Sequence, residues 1–237
     1  MCDSIYNPTQ KEDVLMLTVE ELTRDKKLYI FDFDGVIADT RFDIASSVQK
    51  TQEHFGAEIL SVEEIISNVG FGAKYLMERT VCNSCDASLD EVFDWYCQCF
   101  YENCVVETKL YLGFRDLLIL LREQGHSMCV VTNKPLRVSE RSLELLGVRE
   151  FFDVVMCPEN TPKMKPAPDG LLISMFMTGF LPENTVMVGD SASDIEAGKA
   201  AGVRTCGVLY GIGNREKLLA AGADIYVDSA SKIYGVI

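Results

Sequence analysis

Residues 29–36 decide the fold of this chain, and they read Tyr-Ile-Phe-Asp-Phe-Asp-Gly-Val. An apolar run ends there in two carboxylates, Asp32 and Asp34, and a glycine follows them. Side chains two apart along a strand lie on the same side, so both carboxylates would face one volume where the strand ends. The same residues also suit an Asp34-Gly35 turn between two hairpin strands. This stretch therefore predicts either a hairpin or a reactive pair of acids.

The composition indicates a globular protein that does not bind nucleic acid. The 237 residues are 48% hydrophobic, which is enough for a substantial core in one large domain or two smaller ones. The formal net charge is −14, and arrays of Lys and Arg, not acids, hold a phosphate backbone. We find neither a membrane-spanning run nor a secretion signal in the sequence. We therefore expect a cytoplasmic protein with no membrane partner.

The nine cysteines follow no regular disulfide framework, which favours reduced thiols. Five of them form a CxxC, a CxC and one further position, namely Cys82, Cys85, Cys97, Cys99 and Cys104. Such a group could bind zinc. We favour simple packing, because the second pair falls within a predicted helix and free cysteine packs as a small apolar side chain.

The chain divides into three parts. Residues 1–26 are polar and predict an N-terminal extension on the outside of the fold. Residues 42–107 have helical periodicity and little strand signal. Residues 27–41 and 108–237 alternate strands with helices, as in a parallel sheet covered on both faces. We predict an α/β, Rossmann-like core domain with a small all-helical cap domain inserted after the first strand.

The strands of the core are predicted at 27–33, 126–132, 153–156, 185–188, 203–208 and 224–227. The helices between them are predicted at 114–123, 135–146, 169–178, 192–201 and 215–221. In such sheets, ligands bind beyond the carboxyl ends of the strands.

Two clusters after strand ends offer groups for a phosphate. Thr132 and Asn133 can donate hydrogen bonds without adding charge, although they equally suit an ordinary turn into a helix. Lys165 lies in a loop that two prolines stiffen, so its ammonium could be held at one point. The alternative is a solvated lysine on a rigid connector, and Lys163 competes with it for the same role.

The last cluster, Asp190 and Asp194, could hold a divalent cation through carboxylate oxygens. Ser191 and Asp194 also have the spacing of a capping box, and the two roles are compatible. Each cluster follows a predicted strand of one parallel sheet. That coincidence favours the reactive pair over the hairpin.

These four clusters, in this order and at these spacings, resemble the motifs of the haloacid dehalogenase superfamily of aspartate-nucleophile phosphatases. The similarity covers nearly all of residues 28–230. Residues 69–73 (Val-Gly-Phe-Gly-Ala) and 76–79 (Leu-Met-Glu-Arg) resemble the helical-cap branch that includes phosphoglycolate phosphatase. The resemblance implies a Mg²⁺-dependent phosphatase that hydrolyses a small phosphate monoester through an aspartyl phosphate.

Carried over residue by residue, the resemblance implies that Asp32 is the nucleophile and that Asp34 is the general acid and then the base. The residues that bind the phosphate would be Thr132, Asn133 and Lys165, with Lys165 also part of the catalytic set. The magnesium ligands would be Asp32, the backbone carbonyl of Asp34, Asp190 and, directly or through water, Asp194.

Two positions depart from the family pattern. Val36 stands where many such phosphatases have threonine, although that residue often acts through its backbone. Lys74 is unexpected in this branch; it could attract a substrate carboxylate, but we favour a solvated helix residue. The cap residues that we expect near the substrate are Arg41, Phe71, Gly72, Lys74 and Arg79.

Other functions share part of the pattern. A sugar-phosphate mutase would have the same four motifs, but no sugar-gripping segment follows Asp39-Thr40. A phosphonoacetaldehyde hydrolase would need a cap lysine, and the glycine-to-lysine spacing fits poorly. A dehalogenase needs no acid at Asp34, and a non-catalytic phosphate-binding regulator needs no full catalytic set. We expect a small phosphorylated metabolite as the substrate partner. We expect the protein to be a monomer or a homodimer.

Overall fold

A computed structural model describes residues 26–236 of the chain. The predicted N-terminal extension lies outside these residues, apart from Lys26. The strands, in chain order, are β1 (Leu28–Phe31), β2 (Ala38–Asp39), β3 (Lys109–Leu110), β4 (Ser127–Val131), β5 (Val154–Met156), β6 (Thr185–Gly189), β7 (Arg204–Val208) and β8 (Ile225–Val227). The α-helices are α1 (Arg41–Phe55), α2 (Val62–Ile66), α3 (Ala73–Thr80), α4 (Leu89–Asn103), α5 (Phe114–Glu123), α6 (Leu136–Leu145), α7 (Asp169–Thr178), α8 (Ala192–Ala201) and α9 (Arg215–Ala221). Short 3-10 helices occupy Cys82–Ser84, Arg149–Phe151, Pro158–Asn160, Pro182–Asn184 and Ala230–Lys232.

The core is a six-stranded sheet with the strand order β5-β4-β1-β6-β7-β8. Every neighbouring pair in it is parallel. Because β1 lies between two parallel partners, the hairpin alternative for residues 29–36 is wrong. The predicted α/β, Rossmann-like core is confirmed, and its predicted strands and helices differ from the observed bounds by one or two residues at most.

Both faces of the central strand are covered, which explains its unbroken apolar sequence. Tyr29 and Phe31 pack into one hydrophobic cluster of the core. Leu28 and Ile30 alternate with them and pack into a second cluster on the opposite face. The central strand is therefore packed on both faces, and this packing fixes the position of the residues that follow it.

The region between β2 and β3 is helical, as predicted, and it has a hydrophobic cluster of its own. Ile44 and Val48 of α1 pack there with Tyr96 and Phe100 of α4. Val138 of α6 joins the same cluster, so this region contacts the core beside the sheet. The domain boundaries at 42 and 107 stay a prediction.

The two chain segments that join the helical region to the sheet form a structure that sequence analysis missed. The strands β2 and β3 pair in antiparallel fashion, with Ala38 opposite Leu110. Next to them, the Asp43 carboxylate accepts the backbone N–H groups of residues 106–108 at 2.8–3.1 Å. We call β2, β3 and the Asp43 contacts the connecting ribbon. Each of its strands has only two residues, too few for a recognisable period.

Over residues 26–236, none of the helices combines the length and the apolar character that crossing a membrane requires.

Candidate active site

The site lies at the carboxyl edge of the sheet, where the three central strands end side by side. Phe31, the last residue of β1, is in register with Val130 of β4 and Val188 of β6. The next residue, Asp32, donates its backbone N–H to the Val188 carbonyl at 2.9 Å. The residues that follow these strands are thereby brought to one place, as the strand-end positions predicted.

Lys165 is a buried cation at this edge, next to Asp32. Its Nζ lies 2.8 Å from Asp32 Oδ1 and 2.7 Å from Asp194 Oδ1, and it donates to the Val131 carbonyl at 2.7 Å. Burial alone would lower the pKa of Lys165, but the Asp194 and Asp32 carboxylates raise it above its ordinary value. Lys165 is therefore protonated. Lys165 is buried at this edge, whereas its competitor Lys163 is exposed.

Asn133 holds the Lys165 loop in place. Its amide NH₂ donates to the Lys165 carbonyl at 3.0 Å and to the Gly70 carbonyl at 2.8 Å. Its amide oxygen accepts the Lys165 backbone N–H at 3.1 Å. The side chain predicted as a phosphate donor is thus engaged with three backbone groups, one of them in the helical region. Its neighbour Thr132 lies on the wall of the adjoining cavity.

Three carboxylates converge next to Lys165. One oxygen from each of Asp32, Asp190 and Asp194 lies within 4.8 Å of the other two. Asp190 Oδ2 accepts the backbone N–H groups of Ile212 and Gly213, both at 2.8 Å.

The two oxygens of Asp194 have different partners. Oδ1 contacts Lys165, and Oδ2 accepts the backbone N–H of Ser191 at 3.0 Å and its hydroxyl at 2.6 Å. The predicted capping box is therefore present. Because both oxygens already accept donors, Asp194 orients Lys165, and Asp32 and Asp190 are the more accessible acids.

The acidic cluster has the electrostatics of a cation site. Burial raises the pKa of Asp32 to about 6, although Lys165 opposes the shift. Burial, reinforced by repulsion from Asp194 and Asp32, raises the pKa of Asp190. When ionised, the three acids leave two negative charges that Lys165 does not offset, and buried charge of this kind is costly. A divalent cation with oxygen ligands fits this donor set.

No other group of three or more His, Cys, Asp or Glu side chains within residues 26–236 converges on a metal-sized space. Cys82, Cys85, Cys97, Cys99 and Cys104 are free thiols. Four of them, Cys82, Cys85, Cys97 and Cys104, pack in the hydrophobic cluster of the helical region. Packing is the role that we favour, and zinc binding stays the alternative.

Position 35 requires a glycine, because the backbone there passes too close to the Asp190 carboxylate for a side chain to fit. Its φ of +81° lies in the left-handed region, and a Cβ there would lie 1.9 Å from Asp190 Oδ2. A Cβ on Gly211 would approach the same carboxylate to 2.3 Å. Val36, by contrast, is buried in the core, and its carbonyl accepts the Tyr210 hydroxyl at 3.1 Å.

Asp34 has a partner to which sequence analysis assigned no role. Lys134 Nζ lies 2.8 Å from Asp34 Oδ1, and the lysine side chain is 1% exposed. The same ammonium lies 4.2 Å from the ring centre of Phe100 and 5.1 Å from that of Phe33. The only sequence signal was a lysine directly after Thr132 and Asn133 at a strand end.

A cavity of about 890 Å³ lies between this edge and the helical region, and both Asp32 and Asp34 line it. Of the predicted cap residues, Arg41, Phe71 and Gly72 also line it. The other walls from the helical region are mostly apolar and include Ile44, Ile66, Val69, Leu76, Tyr96 and Phe100.

The other two predicted cap residues lie outside the cavity lining. Lys74 forms an exposed ion pair with Asp90 at 2.8 Å. The Arg79 guanidinium lies over the ring of Tyr75, 5.6 Å from its centre. The structure thus places Lys74 on the surface, which is the interpretation we favoured for it.

Comparison with known proteins agrees with this geometry. The family model described as haloacid dehalogenase-like hydrolase matches residues 29–208. A phosphoglycolate phosphatase of Chromobacterium violaceum is 32% identical over 216 residues, which cover 89% of this chain and 96% of the relative. An N-acetylmuramic acid 6-phosphate phosphatase of Pseudomonas aeruginosa is 30% identical over 213 residues, which cover 89% and 94%.

Among solved structures, a predicted phosphoglycolate phosphatase of Haemophilus somnus superimposes with a TM-score of 0.83 at 25% identity. The match covers 88% of this chain and 96% of that chain.

Proposed function

This chain belongs to the haloacid dehalogenase-like hydrolase family and is a phosphatase, and we propose that it hydrolyses a small, phosphoglycolate-like monoester with Mg²⁺ through an aspartyl phosphate on Asp32. One observation carries this proposal. Asp32 contacts Lys165, adjoins Asp190 and lines the same cavity as Asp34. The proposed nucleophile and the proposed acid therefore face one volume, and a buried positive charge contacts the nucleophile.

In the first step, an oxygen of Asp32 attacks phosphorus and forms an acyl phosphate while the bond to the ester oxygen breaks. Asp34 gives its proton to the departing alkoxide, which leaves as an alcohol. Lys165 favours the ionised Asp32 and offsets negative charge as the phosphate approaches.

In the second step, Asp34 takes a proton from a water molecule that attacks the phosphorus of the aspartyl phosphate. Inorganic phosphate leaves, Asp32 is restored, and Asp34 again holds a proton for the next cycle. Thr132, at the wall of the cavity, supplies a hydroxyl donor to the phosphate.

Mg²⁺ would be held by Asp32, Asp190, the backbone carbonyl of Asp34 and, directly or through water, Asp194. When bound, it would offset the negative charge of the phosphate and the acids. The buried, undercompensated acids described above are what supports this choice of ion. A small phosphorylated metabolite is the proposed partner. A cytoplasmic location and a monomer or homodimer stay predictions.

The test is phosphate release from phosphoglycolate by the purified protein, with Mg²⁺ and with a chelator. We expect turnover only with Mg²⁺, and protein-bound label after acid quench of a reaction with ³²P-labelled substrate. Asp32→Asn should lose both the turnover and the label. Full turnover by Asp32→Asn, or label on that variant, would contradict the proposed nucleophile.

The volume of the cavity favours a second candidate substrate, a sugar phosphate. About 890 Å³ is in the range that holds whole metabolites and is more than a two-carbon ester fills. One relative is named for its action on N-acetylmuramic acid 6-phosphate. Values of kcat/KM for phosphoglycolate and a panel of hexose phosphates would rank the two candidates.

A further inference from the structure

Lys134 is a buried cation at the cavity that the mechanism above does not use. Its side chain is 1% exposed, and it lines the cavity together with Asp34 and Phe100. Lysine is almost never buried unless its charge is paired. Among residues 26–236, the oxygen that its Nζ contacts within hydrogen-bond distance is Asp34 Oδ1, at 2.8 Å.

The surroundings of the ammonium leave it capable of holding a second anion. An ammonium has three N–H donors, and one carboxylate oxygen meets it here. The rings of Phe33 and Phe100 stabilise a cation but provide no oxygen acceptor. With few competing polar groups, an added anion would interact more strongly with Lys134 than it would in water.

The position of Lys134 identifies which part of a substrate would reach it. Under the proposed function, the Asp34 carboxylate contacts the ester oxygen of the leaving alcohol, and Lys165 lies at the nucleophile Asp32 instead. The two lysines therefore mark two ends of the reacting group. Lys165 faces the phosphoryl side, and Lys134 lies beside the first atoms of the alcohol.

We propose that Lys134 is a specificity-determining residue that binds an anionic group, a carboxylate on the carbon attached to the ester oxygen, in the alcohol part of the substrate. This inference rests on the proposed function and makes its substrate class definite: a phosphate ester of a 2-hydroxy acid. The alternative is that Lys134 only fixes Asp34, in which case every substrate would depend on it equally.

The test compares two esters of equal length, phosphoglycolate and ethyl phosphate. Ethyl phosphate has a methyl group where phosphoglycolate has its carboxylate. Lys134→Met keeps the apolar stem and removes the charge. We expect the wild type to prefer phosphoglycolate, and Lys134→Met to lower kcat/KM for it by about 30- to 100-fold, mainly through KM, as for a lost charge-assisted hydrogen bond. The preference over ethyl phosphate should fall by at least about tenfold.

An equal loss on both esters would overturn the inference and leave Lys134 as a positioning residue for Asp34. A wild type without preference for phosphoglycolate over ethyl phosphate would overturn it as well. Failure of the proposed function is distinguishable, because the wild type would then release no phosphate from any monoester with Mg²⁺.

Lys217→Met is the matched control, since Lys217 is an exposed lysine at the rim of the same cavity. It should leave the preference between the two esters unchanged.

A measurement on the wild type keeps the inference testable if Lys134→Met does not fold. 3-Phosphonopropionate and propylphosphonate are non-hydrolysable counterparts of the two esters. We expect the carboxylate-bearing inhibitor to bind at least about tenfold more tightly. Equal inhibition constants would overturn the inference.

Discussion

Two buried aspartates, Asp43 in the connecting ribbon and Asp190 in the candidate active site, have different surroundings for their buried charge. They are 3% and 4% exposed, and both accept backbone N–H groups. Burial alone would raise the pKa of Asp43, but hydrogen bonds from residues 106–108 lower it. Asp190 also accepts two N–H groups, yet burial and the neighbouring Asp194 and Asp32 leave its pKa raised.

This difference is what we expect between a structural charge, Asp43, and the proposed functional charge of Asp190. Backbone N–H groups of residues 106–108 satisfy the Asp43 carboxylate. These hydrogen bonds connect the two chain segments that join the helical region to the sheet. At the acidic cluster, the fold brings like charges together and supplies one lysine. Repulsion between these charges lowers the free energy of unfolding, as at many active sites. The binding of a cation and a substrate would raise it again.

Asp190→Asn tests this comparison with the larger effect expected for the two aspartates. We expect kcat/KM to fall by about 10³-fold, because the variant lacks a charged group that we propose as a ligand of the cation. In the wild type, Mg²⁺ at 100 times its Kd should raise the free energy of unfolding by about 2.7 kcal/mol. Thermal melts with and without Mg²⁺ should show this rise in the wild type and little of it in the variant.

The same melts in a chelator give a second readout. Because Asp190→Asn removes one of three repelling charges, the metal-free variant should be at least as stable as the metal-free wild type. A variant that is less stable without metal would show that Asp190 is structural, like Asp43.

Gly35→Ala disturbs the acidic cluster without removing a charge. Its Cβ would overlap Asp190 Oδ2, and its φ of +81° would be strained for alanine. We expect kcat/KM to fall by about 10²-fold through displacement of the carboxylate. Gly56→Ala is the control, since its φ is +65° and its added Cβ meets no atom within 4 Å. It should share the strain but retain the activity.

Asp43→Asn tests the structural side of the comparison. Asn can accept at one oxygen only, and its NH₂ would then face a backbone N–H. We expect a loss of about 2 to 3 kcal/mol in the free energy of unfolding, measured by urea denaturation at pH 7. A fall in kcat/KM without a fall in stability would contradict a structural role for this aspartate.

The two sites should also respond to pH with opposite sign. The pKa of Asp43 is lower in the folded state, so its contribution is complete above the ordinary aspartate value of about 4 and is lost as pH falls below it. The pKa of Asp32 is raised to about 6. Metal-free protein should therefore lose stability as pH rises from about 4 to 6, because the folded state binds the extra proton. Urea titrations in a chelator at several pH values would measure both slopes.

The comparison also shows which features could be predicted from the sequence. The acids after β1 and β6 could be placed, because a short apolar run followed by Asp and Gly is a local signal. The connecting ribbon was missed, because Asp43 meets its partners only after the chain returns through four helices.

The pairing of Lys134 with Asp34 spans 100 positions in the sequence, and the strand-end position of Lys134 does not indicate which acid it meets. The choice between Lys163 and Lys165 likewise depended on burial in the folded chain. Sequence alone therefore predicts the type of chemistry better than it predicts which charges are paired.

Lys74→Met gives the smallest expected effect and sharpens the contrast between surface and buried ion pairs. Lys74 and Asp90 are 57% and 82% exposed, so water and salt screen their contact, whereas Lys165 is 2% exposed between two acids. We expect no measurable change in Tm and a change of less than about twofold in kcat/KM for phosphoglycolate. Lys165→Met should remove activity almost completely. A large loss of activity in Lys74→Met would mean that the Lys74 side chain leaves Asp90 and reaches the substrate. Substrate selection would then depend on a residue outside the cavity lining described above.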